Sequence, residues 1–262
     1  MMISTTLQNK SVSKNSAWLI RTVSVLFWIG VWQVSAMLLN SPLILPTPVN
    51  VIKRLFVLVL SIEFRISVGH TMARIVSGFF LALVSGTVLA VISGSVKAVK
   101  VLLAPFMSVM KSVPVASFVI LSLFWLDTKM LSTFIAFVMV MPIIYINVLS
   151  GIEACDSKML EMAKVFKVTP GKKWLYVYIP YIIPFFRSGC AVALGLCWKA
   201  GVAAELIGVP DGTIGEQLYF SKIYYDTADL FAWTIVIILI SVLCEKMFMF
   251  ALNKAVSLYE RN

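Results

Sequence analysis

A long uncharged and apolar stretch of the chain strongly limits which folds it can adopt. Residues 75–96 contain no Asp, Glu, Lys or Arg, and a helix needs about 20 such residues to cross the hydrocarbon core of a bilayer. Comparable runs recur along a chain that is 60% hydrophobic and 13% charged, much less charged than a soluble domain. The runs lack the alternation of a membrane β-barrel. The sequence therefore predicts an all-α, polytopic membrane protein with about six transmembrane helices.

The apolar runs divide the chain into spans and loops. The first span, residues 17–39, is too long for the apolar part of a signal peptide and has no small-residue cleavage site, so we interpret it as a signal-anchor helix. Polar residues 1–16 and 254–262 predict cytoplasmic tails. Residues 49–60 are apolar but carry Lys53 and Arg54, which leaves both a surface helix and a further span open. The core, residues 40–253, contains five more predicted transmembrane helices, near residues 71–96, 101–126, 130–152, 181–204 and 230–250.

Three of the inner spans have features beyond their length. In the second, serine and glycine each recur every eight residues, which predicts a small-residue face for close approach of another helix; the residues are Ser77, Ser85, Ser93, Gly78, Gly86 and Gly94. The third contains Pro105, Lys111 and Pro114. A charge or a proline at membrane depth needs a partner or water, so this span is expected to face a cavity or to break near Pro114. In the fourth, Asn147 is expected to bond a neighbouring helix.

The distribution of basic residues predicts the orientation of the chain. With six spans and an inner N-terminus, the inner segments hold more lysine and arginine than the outer segments, as the positive-inside rule requires. The inner residues are Lys10, Lys14, Lys97, Lys100, Lys158, Lys164, Lys167, Lys172, Lys173, Lys254 and Arg261, and the outer ones are Lys53, Arg54, Arg65, Lys129 and Lys222. Residues 156–179, which we call the inner-loop segment, therefore lie in the cytoplasm.

The inner-loop segment predicts two short amphipathic helices. Asp156 or Ser157 can cap a helix that runs to about Lys167, and Thr169 with Pro170 can start a second one. Met159, Met162, Ala163 and Phe166 fall on one apolar stripe of the first helix. Such a segment can fill a groove in a partner protein, or it can simply pack on lipid. The pattern alone favours neither.

The inner-loop segment and the start of the fifth span resemble the EAA loop of permease subunits in bacterial ABC importers. Glu161 and Ala163 match that motif, Pro180 and Pro184 match its paired prolines, and Gly189 matches a later glycine. The resemblance implies that these residues, together with Met162, Phe166 and Gly171, couple the chain to an ATPase. Lys167 occupies the place of the usual glycine, and we expect Gly171 to supply the flexibility instead.

Other motifs resemble the nitrate/sulfonate/taurine branch of these permeases. They occur in the expected order over residues 40–250 and comprise LPTP at 45–48, HT at 70–71, Arg74, GF at 78–79, SVPVA at 112–116, LFW at 123–125, AAE at 203–205 and GTIG at 212–215. The resemblance implies a type I ABC importer permease in the bacterial cytoplasmic membrane. It also implies three kinds of partner: a second permease copy in a homodimer, a cytoplasmic ATPase dimer, and an extracytoplasmic solute-binding protein.

The chain shows no phosphate-binding loop of its own. Residues 170–173 read PGKK, but Phe166 stands where a G-x-x-x-x-G-K motif needs its first glycine. We therefore expect a transport subunit with no cofactor and no catalytic residues, whose energy comes from a partner chain.

The transported solute is open to several interpretations at this stage. Lys111 and Lys199 are basic at or near membrane depth, which suggests a path for an anion; both could instead snorkel to an interface or pair with an acid such as Glu205. Trp198 could stack on a flat solute or serve packing. The candidate path residues are Lys111, Pro114, Trp198, Lys199 and Glu205, and nitrate, sulfonates, taurine or a pyrimidine precursor of thiamine are all open as solutes.

Two other classes of protein, an ion-coupled secondary transporter and a membrane-embedded enzyme, fit the sequence less well. An ion-coupled secondary transporter usually has a carboxylate inside a span, and the first four predicted spans contain none. A membrane-embedded enzyme needs a cluster of polar groups at one depth, whereas the chain has a single histidine, His70. Its four cysteines form no CxxC pair, so we expect no metal site. Aromatic and basic residues are not interleaved, so the sequence does not indicate nucleic-acid binding. Besides the protein partners, we expect membrane lipids to contact the chain.

Overall fold

The computed structural model describes residues 14–261, which form eleven α-helices and one π-helical turn. Most of the predicted N-terminal tail, residues 1–13, lies outside the described residues. The α-helices are α1 (Lys14–Leu39), α2 (Pro48–Leu60), α3 (Ile62–Ser95), α4 (Lys97–Ser112), α5 (Val115–Ser122), α6 (Thr128–Glu153), α7 (Ser157–Val165), α8 (Pro170–Lys173), α9 (Ile179–Gly208), α10 (Ile214–Ile223) and α11 (Thr227–Arg261), and the π-helical turn (Trp174–Tyr178) joins α8 to α9.

Six spans are present if one broken pair of helices is counted as a span. Five helices are long and apolar enough to cross a membrane: α1, α3, α6, α11 and the continuous helix Pro170–Gly208. Helices α4 and α5 form the sixth span together, bent by 102°. The break follows Ser112, and Pro114 stands immediately before α5. The predicted break near Pro114 is thus confirmed, because proline disfavours helical geometry in the residue before it.

Helix α2 resolves the ambiguity at residues 49–60. Its 13 residues extend only about 20 Å at 1.5 Å per residue, which is shorter than the hydrocarbon core of a bilayer. Arg54 on α2 forms an ion pair with Asp229 of α11, with Arg54 Nε 2.8 Å from Asp229 Oδ1. Helix α2 is therefore consistent with a surface helix, and the ion pair attaches it to the first turn of α11.

Three helix boundaries differ from the sequence-based expectation. Helix α3 begins at Ile62 rather than near 71, because the Ser61 hydroxyl accepts a hydrogen bond from the backbone N–H of Phe64 and caps it there (3.1 Å). Helix α11 continues to Arg261, so residues 254–261 are helical and form no separate tail. The fifth span begins at Pro170 rather than near 181, because the π-helical turn carries the helix past Pro180 without a break.

Helix α6 is the centre of the bundle, buried along most of its length between α3 and α9. The glycines of the predicted small-residue face of α3 lie against it, whereas Ser77 and Ser85 donate to carbonyl oxygens of α3 itself. A Cβ added to Gly78 would lie 2.4 Å from the carbonyl oxygen of Thr133, and one added to Gly86 would lie 2.9 Å from that of Met141. The close approach inferred from the eight-residue spacing is therefore confirmed.

Asn147, on α6, corrects one expectation. Its side-chain amide donates to the carbonyl oxygen of Ile143 in its own helix (2.8 Å) rather than to a neighbouring helix. Its contact with α9 is steric, because a Cβ added to Gly189 would lie 2.8 Å from Asn147 Cβ. Gly189 is thus a point of close approach between α6 and α9.

Candidate transport and coupling sites

The first helix of the inner-loop segment, α7, has defined ends. Asp156 caps it by accepting a hydrogen bond from the N–H of Lys158 (2.9 Å), as predicted. At its other end Val168 N–H donates to Ala163 C=O (2.9 Å) and Lys167 N–H donates to Lys164 C=O (3.1 Å). These two bonds are those of a Schellman motif.

Lys167 makes the turn that a glycine usually makes. Its φ of +49° lies in the left-handed region, the conformation that the Schellman motif requires at this position. Gly171, by contrast, lies inside the short helix α8. The expectation that Gly171 replaces the missing glycine is therefore wrong: the bend stays at Lys167 and is made at the cost of backbone strain.

The surface of α7 combines exposed apolar residues with a polar cleft. Val165 and Phe166 are each 76% exposed, and Met162 is 44% exposed, whereas Ala163 is buried. Beside them lies a cleft of about 600 Å³. Its lining includes Glu161, Lys164, Lys167, Pro170 and Lys173. Large apolar side chains exposed on a polar loop are typical of an interaction site.

The paired prolines line a different cleft from Glu161. Pro180 and Pro184 are exposed in the first turns of α9 and line a second cleft, of about 670 Å³, together with Arg187 and Tyr259. The Tyr259 hydroxyl donates to the carbonyl oxygen of Leu175 within the π-helical turn. The end of α11 is thus attached to the helix that leaves the inner-loop segment.

Of the predicted path residues, Lys111 is exposed and lines an open cavity between helices. This cavity has a volume of about 340 Å³ and is formed by α4, α6 and α9. Its lining includes Lys111, Pro142, Asn147, Val192 and Leu196. Lysine is the only ionisable residue in that lining, and the carboxamide of Asn147 is its other strongly polar group.

Lys199 shares the helix face that borders this cavity. It is exposed on α9, seven residues after Val192, and residues seven apart lie on the same side of a helix. Trp198 is only 2% exposed and belongs to the apolar core. Pro114 is exposed at the break between α4 and α5. The structure therefore brings Lys111 and Lys199 to one side of α9 and buries Trp198 elsewhere.

Glu205 is fully buried at the outer end of α9. Its Oε2 accepts a hydrogen bond from Thr71 Oγ1 (2.7 Å) and a longer one from Gly215 N–H (3.4 Å). Thr71 Oγ1 also accepts from Ile214 N–H (3.0 Å). The carboxylate thereby holds the first turn of α10 against α3, which stabilises the unpaired N–H groups of that turn.

The sequence shows the residues of this outer cluster only as separate motifs, which are HT at 70–71, AAE at 203–205 and GTIG at 212–215. In the structure they meet: His70 Nδ1 lies 3.0 Å from Gly212 C=O, adjoining the Thr71–Glu205 bond. The co-occurrence of polar motifs at the predicted outer ends of two spans was the only signal in the sequence.

The architecture defines a class of protein. About six spans are present, of which α6 is buried between α3 and α9, and an exposed amphipathic helix lies in the predicted cytoplasmic loop. This is the arrangement of a membrane-embedded transport subunit with a cytoplasmic partner. Residues 82–257 match the family described as the binding-protein-dependent transport system inner membrane component. The chain belongs to this family.

Named relatives point to the same branch. The chain is 27% identical over 220 residues to a putative aliphatic sulfonates transport permease protein, SsuC, of Bacillus subtilis, covering 83% of this chain and 79% of that protein. It is 27% identical over 234 residues to the nitrate import permease protein NrtB of Synechococcus elongatus, covering 82% and 83%. The taurine transport system permease protein TauC of Escherichia coli is 23% identical over 235 residues, covering 86% and 84%.

A solved structure shows the same fold. The chain superposes on a crystal structure of an amino acid ABC transporter with histidines at a TM-score of 0.52, with 17% identity, covering 75% of this chain and 94% of the other. The protein is thus a multi-pass permease subunit of an ABC importer in the cytoplasmic membrane. Membership of the family implies ATPase and solute-binding protein partners, and it replaces the alternative of an ion-coupled secondary transporter.

Proposed function

We propose that this permease takes up a small anion, organic or inorganic, as a homodimer driven by two cytoplasmic ATPase subunits that bind the inner-loop segment. The observation that carries the coupling proposal is the exposure of Val165 and Phe166 on a charged cytoplasmic loop. Two large apolar side chains exposed to water on one turn are unfavourable unless a partner covers them. The family implies an ATPase partner, and a groove in that subunit would receive these two side chains.

Continuity of the backbone supports the transmission of movement. Residues 170–208 form one helix through the π-helical turn, and a Cβ added to Gly151 of α6 would lie 2.8 Å from Ile182 Cα of that helix. A displacement of the inner-loop segment would therefore move α9 as a rigid body against α6. Closure of the two ATPase subunits on ATP would draw the two inner-loop segments together and change which side of the membrane the path faces.

The anion proposal rests on Lys111 and Lys199. A lysine at membrane depth needs a compensating group, and the cavity beside Lys111 supplies no carboxylate among its lining residues. A transported anion would neutralise that charge during its passage. In a homodimer, the α9 faces that carry Lys199 would border one shared path, and lipid would cover the outward faces of α1 and α11, which are largely exposed. Pro114, Trp198 and Glu205, which do not line this cavity, would support the helices that form the path.

The nature of the anion is inferred from the relatives. Aliphatic sulfonates and nitrate, which two relatives are named for transporting, are anions, and taurine, which a third is named for, carries a sulfonate group. We propose an oxyanion of this kind, with a sulfonate as the first candidate. A pyrimidine precursor of thiamine is the alternative that the sequence left open.

Uptake by the assembled importer tests the anion proposal. Vesicles containing the permease, its ATPase and its solute-binding protein would be assayed with labelled taurine, an alkanesulfonate, nitrate and a hydroxymethylpyrimidine. We expect one of the first three to be taken up, and Lys111→Gln to reduce that uptake about tenfold or more, since a hydrogen bond to a charged group contributes about 1.5–3 kcal/mol. Lys129→Gln, which changes an exposed lysine at the start of α6, is the matched control. Uptake of only the neutral pyrimidine, or unchanged anion uptake by Lys111→Gln, would contradict the proposal.

Glu161 tests coupling in the same vesicles. We expect Glu161→Ala to leave the permease inserted but to lower ATP-driven uptake, because the cleft beside α7 loses its carboxylate. Glu63→Ala, which removes an exposed acid from the first turn of α3, is the control for charge. Equal uptake by Glu161→Ala and the parent protein would remove Glu161 from the coupling site.

A further inference from the structure

The outer cluster around Glu205 contains more polar groups than it uses. Oε2 of Glu205 accepts two hydrogen bonds, but Oε1 is buried without a partner among the described residues. Two donors nearby are also buried and unpartnered: Arg74 Nη1 and Ser132 Oγ. Both residues lie near enough to the Glu205 carboxyl group to interact with it, and Arg74 lies one turn along α3 from Thr71. Unsatisfied buried polar groups are rare in proteins and require an explanation.

The element that Glu205 holds is bounded by strain. Helix α10 lies between Val209, with φ +46°, and Tyr225, with φ +57°. Left-handed conformations are unfavourable for residues other than glycine and especially for a β-branched residue such as Val209. Val209 caps the C-terminal end of α9, and Tyr225 follows the C-terminal end of α10. Strained residues therefore flank α10 on both sides, and such residues are enriched at segments that switch.

We propose that Glu205 is a two-position latch for the outer loop, a role that rests on the ATP-driven cycle of the proposed function. In the position seen here, its carboxylate binds Thr71 and the first turn of α10 and keeps the loop on the bundle. In the second position, the carboxylate turns to Arg74 and Ser132 as α10 lifts. The second set of donors keeps the buried charge paired in both states, which avoids the large cost of leaving a buried carboxylate without partners.

Steric fit at Gly215 supports a tight closed position. A Cβ at this residue would lie 2.2 Å from Glu205 Cβ and 2.4 Å from the carbonyl carbon of Glu205. The backbone of α10 therefore rests directly on that of α9, and only a glycine permits this approach. Release of α10 then requires separation of two backbones, which gives the latch two discrete arrangements rather than a continuous range.

Hydrogen–deuterium exchange of the assembled importer tests the latch. The backbone amides of Ile214 and Gly215, which bind Thr71 and Glu205, would be compared between the nucleotide-free complex and the complex trapped with ATP and vanadate. We expect their protection to differ by about tenfold or more between the two states, because the loss of each hydrogen bond to a charged or buried acceptor changes the local opening equilibrium about tenfold. We expect Arg74→Gln to reduce that difference, because it removes the second position.

The controls separate the latch from simpler explanations. Arg65→Gln removes an exposed arginine from the same helix and should leave the exchange difference intact. Ser132→Ala is a smaller change at the same cluster and replaces Arg74→Gln if that variant fails to assemble. Equal protection of the α10 amides in both states would overturn the latch, as would an undiminished difference in the Arg74 or Ser132 variant, which would indicate that a bound water satisfies these groups.

Peptides from the inner-loop segment distinguish failure of the latch from failure of coupling. If nucleotide changes exchange around Val168 but not around Ile214, the ATPase contact stands and the latch is refuted. If nucleotide changes neither region, coupling through the inner-loop segment is refuted and the latch with it.

Discussion

Replacing Lys167 by glycine should make the inner-loop segment more stable. Lys167 has a φ of +49°, which costs a non-glycine residue about 1–2 kcal/mol relative to glycine. Glycine loses more conformational entropy on ordering, about 0.5–1 kcal/mol. The net gain for Lys167→Gly is therefore about 0.5–1 kcal/mol, or a factor of about two to five in the local opening equilibrium.

The amide of Val168 reports this change directly. It donates to Ala163 C=O and closes the turn, so its hydrogen-exchange protection should rise by about two- to fivefold in Lys167→Gly. Lys167→Gln removes the charge but keeps the strained backbone, and its protection should match that of the parent protein. Lys167→Pro should abolish the turn, since proline holds φ near −65°.

The reasoning about Lys167 can be refuted by the same measurement. Unchanged or lower protection of Val168 in Lys167→Gly would show that the left-handed conformation is not strained in the intact protein. Equal gains in Lys167→Gly and Lys167→Gln would instead attribute the effect to the loss of positive charge among the neighbouring lysines.

Two further predictions concern the packing of the bundle and can be checked by thermal unfolding in detergent. Gly78→Val should lower the free energy of unfolding by more than about 2 kcal/mol through overpacking against α6, because a Cβ added there would lie 2.4 Å from the Thr133 carbonyl oxygen. Gly30→Val is the control and should leave stability nearly unchanged, because nothing lies within 4 Å of a Cβ added at Gly30. Similar losses in both variants would refute the close approach. Asp229→Ala should lower the free energy of unfolding by about 1–2 kcal/mol, because it removes the hydrogen-bond partner of half-exposed Arg54 and of Ser221. No loss of stability would show that α2 is held by apolar contacts alone.

Local patterns in the sequence predicted much of the fold. Charge-free runs gave the spans, Pro114 gave the break between α4 and α5, and Asp156 gave the start of α7, because each depends on residues close together in the chain. The eight-residue recurrence of glycine predicted the face of α3 that meets α6. These features follow from helix geometry and from the length of a bilayer span.

Features set by distant contacts were missed. Thr71 and Glu205 are 134 residues apart in the chain, and no periodicity connects them. The left-handed Lys167 could not be inferred, because lysine has no preference for that conformation and takes it where the Schellman bonds require it. The start of α3 at Ile62 was missed because Glu63 and Arg65 interrupt the apolar run, although both are exposed on the helix.

Crosslinking of the inner-loop segment to the ATPase tests the central claim most directly. In an importer whose Cys155 is replaced by serine, Phe166→Cys places an exposed thiol at the C-cap of α7, and Ala163→Cys places a buried one within α7 as a matched control. The account predicts a crosslinked adduct of permease and ATPase subunit for Phe166→Cys, much weaker for Ala163→Cys, with a yield that changes when ATP and vanadate are added. A complex that retains ATP-driven uptake but forms no adduct through Phe166→Cys would contradict it.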